Sequence, residues 1–125
     1  MIERVEQIVD AVRQDNPGIA RGLLSELEER IKGLSGEDDA KGEAMTTLMR
    51  IWTCGDVEFC EEALGRITSA VPNDVDRDML KGMYGHSLEY IRGGRDPYYL
   101  ESLQPDVRMV TEKLVGAFDT GQTGF

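Results

Sequence analysis

With 125 residues, 40% of them apolar and only 6% aromatic, the chain has the size and composition of one soluble globular domain with its own core. A formal charge of −10 argues against binding to nucleic-acid phosphates or anionic membranes, which depends on Lys and Arg. Apolar runs of three residues at most exclude a membrane-spanning helix, and the opening MIERVEQIVD mixes acids with apolar positions, unlike a secretory leader.

The expected location is the cytoplasm, or a particle assembled there. Ten Arg stand against four Lys. A carboxylate-rich, lysine-poor surface fits adaptation to high salt, where hydrated acids keep a protein soluble, and fits equally an ordinary acidic protein from a GC-rich coding sequence.

Helical periodicity runs through the chain. Ile2, Val5, Ile8, Val9 and Val12 form a first stripe, ended by DNPG at 15–18. Asn16-Pro17 opens a second helix with Pro at its first position, and Ile19, Leu23, Leu24, Leu27 and Ile31 mark its face. Acids at 37–39 suit the first turn of a third helix, whose face is Ala44, Met45, Leu48, Ile51 and Trp52 and which stops near Gly55. Asp56 is a good N-cap for a fourth, with Cys60, Ala63, Leu64, Ile67 and Val71 inward.

After Pro72-Asn73-Asp74 a fifth helix carries Val75, Met79, Leu80, Met83, Tyr84, Leu88 and Ile91. These cover about half its circumference at ~100° per residue, the pattern of a central helix. RGGRDP ends it, YYLESL makes a short turn, and a sixth helix after Pro105 carries Val107, Val110, Leu114 and Phe118. The closing TGQTGF has no helical pattern, and no segment holds a period of two. The expected fold is therefore all-α. About six helices stack as antiparallel hairpins over residues 1–118, as a short HEAT-like array or a globular bundle, with a flexible tail at 119–125.

Sliding the sequence by 40 residues sets 17–56 against 57–96, with Leu24/Leu64, Asp38/Asp78, Lys41/Lys81, Gly42/Gly82, Leu48/Leu88, Ile51/Ile91 and Asp56/Asp96 identical. Amphipathic hairpins align on their stripes in any case; the Lys-Gly and Asp matches lie outside the stripes. The period falls just within the ~40–47 residues of helical repeats. EALGRITSAVP, 62–72, resembles a HEAT-like repeat, in which an Ala-Leu-Gly helix leads to a Val-Pro turn. Gly42 and Gly82, equivalent in this register, suggest close backbone approach between hairpins or to a partner chain.

Chemistry has few candidates. Cys54 and Cys60 are spaced Cys-x5-Cys and His86 is the only histidine, so neither a four-ligand zinc site nor a Cys-x-x-Cys redox motif is present. Core packing is the expectation for both thiols, although a disulfide across the turn is geometrically conceivable. His86 in KGMYGHSLEYIRGG resembles the phosphorylated residue of histidine phosphotransfer domains. Those carry His-x-Leu-Lys-Gly; here Leu88 is kept, but Glu89 and Tyr90 replace Lys and Gly. An acid and a bulky ring would repel and crowd a phosphoryl group.

The many carboxylates read as solvated faces, with Glu28 near Lys32 and Glu26 near Arg30 at helical spacing. Arg92, Arg95 and Arg108 make a small basic cluster suited to a helix end or to docking an acidic partner. No phosphate loop, nucleophile elbow or metal-binding His pair occurs, so no enzyme activity and no cofactor are expected.

What is left points to protein contacts. Met79, Met83, His86 and Tyr90 edge one helix, the pair Tyr98-Tyr99 sits beside a break, and Phe125 ends the tail. The expected function is an interaction or assembly subunit, adaptor-like or of the kind that connects parts of a tailed-virus particle. It would engage a protein partner or further copies of itself. The alternative is a phosphotransfer or signalling module using His86.

Overall fold

The computed structural model describes residues 2–122, the side chains of residues 2 and 37 apart. Among them the chain forms α1 (Ile2–Arg13), α2 (Pro17–Lys32), α3 (Glu37–Ile51), a 3₁₀ turn (Trp52–Cys54), α4 (Val57–Ala70), α5 (Asp74–Arg92), α6 (Pro97–Ser102) and α7 (Pro105–Thr120), with no strand. The all-α expectation is met. No described helix is long and apolar enough to cross a membrane.

The chain makes one more helix than expected, because YYLESL is α6 and not a plain turn. Pro97 stands in its first turn and the Asp96 carboxylate accepts from the Tyr98 amide at 3.0 Å. The last helix extends through Thr120, taking in the first two residues of the expected tail, and Gly121 caps it at φ 69°.

Caps fall where the side chains dictate. Asn16 accepts from Ile19, Asp56 from Phe59 and Asn73 from Asp76. Three junctions share one geometry at 40-residue intervals. Asp15 (φ 57°), Gly55 (φ 73°) and Arg95 (φ 62°) are left-handed, and each precedes its N-cap Asn16, Asp56 or Asp96. The left-handed residue turns the chain out of one helix, and the capping side chain starts the next.

Packing at larger scale is less regular. α1 makes its most extensive contact with α2, whereas α2 and α3 touch each other little, and both reach α4. α4 also packs on α5, which makes it the central helix in place of α5. It buries Phe59, Cys60, Ala63, Leu64, Ile67, Thr68 and Ala70. α5 buries Leu80, Tyr84, Ser87 and Leu88, so its apolar arc is wider than the core can cover. α7 closes the other side of α5 and docks on the 3₁₀ turn, which α1 and α3 also reach.

At the centre of this assembly Trp52 and Tyr84, both fully buried, meet with ring centroids 4.8 Å apart and planes tilted by 59°. The Tyr84 hydroxyl donates to the Met45 carbonyl at 3.3 Å and ties α5 to α3. Burial holds its phenol pKa well above the ordinary value.

The glycines inside helices do not mark close packing between hairpins. A Cβ added at Gly42 or Gly82 would meet nothing within 4 Å, and both positions are exposed. Gly42→Ala and Gly82→Ala are each expected to stabilise the fold by about 1 kcal/mol, through the lower helix propensity of Gly. Urea unfolding measures this; a loss of stability in either variant would show that the glycine is needed by the fold itself.

Candidate functional site

α5 presents the residues of interest because its two ends are well set. Asn73 caps its start, Asp74 and Asp76 sit in the first turn and Arg92 in the last, each charge complementing the helix dipole. Past the core-facing Leu80, Tyr84 and Leu88, the arc continues onto the surface. Val75 is 76% exposed and Met79, one turn on, 37%. Met83 is partly buried against the core.

On the next turns of the same edge lies Tyr99 of α6. Asp96 and Pro97 start this helix so that Tyr99 reaches back over α5. The Tyr99 hydroxyl lies 2.8 Å from His86 Nδ1 and donates to Glu89 Oε2 at 2.7 Å. A phenol has one proton, so Tyr99 accepts from His86, which places the imidazole proton on Nδ1. Tyr90 adds a third ring, 6.4 Å from Tyr99, and His86 stands at 6.2 Å. Partial burial and then the bonded Glu89 carboxylate push the Tyr99 pKa up to about 12.

Of the sequence candidates, His86, Tyr90 and Tyr99 are thus brought together, with Glu89 completing the set. Tyr98, beside them in the chain, points out at 77% exposure. Met109 on α7 adds a further exposed side chain. Among the described side chains, Ile19 on α2 is the exposed large hydrophobic outside this half of the chain. Phe125 lies outside the described residues.

The three arginines read as one basic cluster are neutralised separately. Arg92 pairs with Glu58 and Glu61 of α4, Arg108 with Glu112 within α7, and Arg95 makes two 2.6 Å bonds to Asp119. The last pair holds the Asp119 carboxyl below the usual range and fastens the ends of α5 and α7 together.

The cysteine turn forms the second notable constellation. α3 tightens into the 3₁₀ turn, where the Thr53 hydroxyl donates to Arg50, and Gly55 then reverses the chain. Cys60 is buried in the core, as its stripe position implies, whereas Cys54 is half-buried. Their sulfurs are 3.7 Å apart. The contact with Cys60, then the backbone of Asp56 and, least, Arg13 lower the Cys54 pKa; the same contact and burial raise that of Cys60. Arg13 of α1 donates to the Thr53 carbonyl at 2.7 Å.

Among the described residues, no three His, Cys, Asp or Glu side chains group as metal ligands. A surface groove between α1 and α2 is lined by Arg4, Ser25, Glu26, Leu27, Glu29 and Arg30. Sequence reasoning missed Glu89 as the acceptor for Tyr99 and gave the closeness of the two thiols only as a conceivable disulfide across the turn. The 86/89 helical spacing hinted at the first; the thiol contact depends on the turn geometry. No family model matches the chain, and comparisons with curated proteins and with solved structures likewise gave no match.

Tyr99 ionises at about 12 when folded against 10.0 ordinarily, so the fold favours its neutral form. Its contribution is complete below pH 10 and lost as pH rises towards 12. Tyr99→Phe is expected to fall less steeply in stability across that window, as measured by urea unfolding at intervals from pH 9.5. Parallel curves for the two proteins would refute the assignment.

Proposed function

We propose that the chain is a non-enzymatic interaction or assembly subunit, seated against another protein through exposed side chains of α5, α6 and α7. The observation that carries this reading is the exposure of Val75, Met79, Tyr98 and Met109 on those three helices. Methionine and tyrosine are what an adaptable interface uses: polarizable or amphipathic area at modest entropic cost. α5 has more apolar arc than its own core buries, and a partner surface would take up the remainder.

Charge favours the kind of partner. Asp78 adjoins Met79, Asp74 beside Val75 is paired with Arg77, and the chain as a whole carries −10. An apolar anchor rimmed by Lys or Arg complements this edge, whereas a second copy brings like charge that only salt screens. From sequence alone, Phe125 adds an apolar anchor to the same reading. A phosphotransfer role for His86 has less support. Glu89, held by the Tyr99 hydroxyl, sets a carboxylate where a phosphoryl group needs a cation.

Photo-crosslinking residues at 79 and 98, with exposed Gln7 as control, are expected to capture one defined protein, identified by mass spectrometry. Val75→Asp together with Met79→Asp is expected to weaken that complex at least tenfold. Light scattering at low and high salt separates the second-copy outcome, in which mass grows with salt. Equal crosslinking at 7, 79 and 98, with a monomer throughout, would sink the proposal.

A further inference from the structure

We propose that Cys54 and Cys60 are a reversible dithiol switch: a hydroperoxide oxidises Cys54, and Cys60 resolves it to an intramolecular disulfide. This rests on the cysteine turn alone and not on the interaction surface.

The placement of the two sulfurs carries the inference. They sit 3.7 Å apart, in contact but unbonded, and a disulfide needs about 2.05 Å, so closure asks for a relative shift of about 1.7 Å. The two sides differ in freedom. Cys60 is fully buried on the central helix, whereas Cys54 is half-buried on a single 3₁₀ turn followed by left-handed Gly55. Reagent therefore meets Cys54 first, and the second thiol already lies beside it. The lowered pKa of Cys54 agrees with this division of roles, since the thiolate is the nucleophile.

The chemistry balances without a metal or cofactor. Cys54 thiolate attacks the terminal peroxide oxygen; the S–O bond forms, the O–O bond breaks, and the alkoxide leaves and takes up a proton as an alcohol. The sulfur is now a sulfenic acid, oxidised by two electrons. Cys60 sulfur attacks it, the S–S bond forms, and hydroxide leaves with the Cys60 proton as water. An external dithiol reverses the change by two thiol exchanges, returning two electrons and two protons and leaving as its own disulfide.

The turn is also placed to report its state. The Thr53 carbonyl holds Arg13 of α1 at 2.7 Å. A Cβ at Gly121, the cap of α7, would come within 2.8 Å of Arg13 Nη2 and 3.6 Å of Thr53 O. The position of a Gly55 Cβ is 3.8 Å from the Phe118 carbonyl. Drawing Cys54 toward α4 therefore disturbs the seat of the α7 C-terminus.

The reduced full chain is titrated with hydrogen peroxide and followed by intact mass and peptide mapping. The wild type is expected to lose two hydrogens at 54–60, monomeric and reversible with dithiothreitol. Cys60→Ala is expected to accumulate a dimedone-trappable sulfenic acid at Cys54, and Cys54→Ser to react at least tenfold more slowly. Phenylarsine oxide, a probe for neighbouring thiols, is expected to bind the folded wild type one to one and neither variant. This arm reads the pair even if a variant is unstable. Hydrogen exchange over residues 115–122 is expected to rise on oxidation. Intermolecular disulfides, direct over-oxidation of Cys54 without a disulfide, or unchanged exchange at α7 would each overturn the proposal.

Discussion

Burial of Trp52 against Tyr84 is the interaction on which the rest of the structure depends. Both rings are fully inaccessible, and Trp52 stands in the three-residue turn where α1, α3 and α7 converge. A pair of aromatic rings buried in this way is worth several kcal/mol of apolar transfer, plus about 1 kcal/mol from the ring contact itself. Among the described residues the buried indole N–H meets no acceptor, which costs about 1–3 kcal/mol. Packing at this point outweighs polar satisfaction. With Trp52 fixed, the turn can seat α7 at one end of the molecule and hold two sulfurs in contact.

The same constraint explains why α5 is left with a free edge. Tyr84 pulls one face of α5 toward the turn, and its hydroxyl fastens that face to α3. The helix cannot also bury Val75 and Met79, which lie on another side. α4 takes the centre instead: its buried face mixes small Cys60, Ala63 and Ala70 with Phe59, Leu64 and Ile67, and α2, α3 and α5 all pack on it. A wide apolar arc thus ends as part core and part surface.

Charge follows the packing. At 26/30 and 28/32 the helical spacing suggests pairs within α2, yet Glu26 bonds Arg4 of α1, Arg30 bonds Glu43 of α3, and Glu28 bonds Arg66 of α4. Adjacent helices offer partners that a single helix cannot. Such surface pairs contribute only about 0–1 kcal/mol each, so they decorate the helix packing and do not direct it.

The amino-acid sequence by itself determined what is local. Helix starts at Pro17, Val57 and Asp74 follow from Asn16, Asp56 and Asn73, since a capping side chain acts within three residues of its own position. The inward faces follow from period, and Cys60 fell in the core as its stripe required. Only the tertiary structure decided which of two amphipathic helices became central, how much of the α5 arc stayed exposed, and that Tyr99 would return to His86 and Glu89. Those outcomes depend on competition among several apolar faces for one core. Period records that a face is apolar, but the volumes that meet across the interior choose its partner.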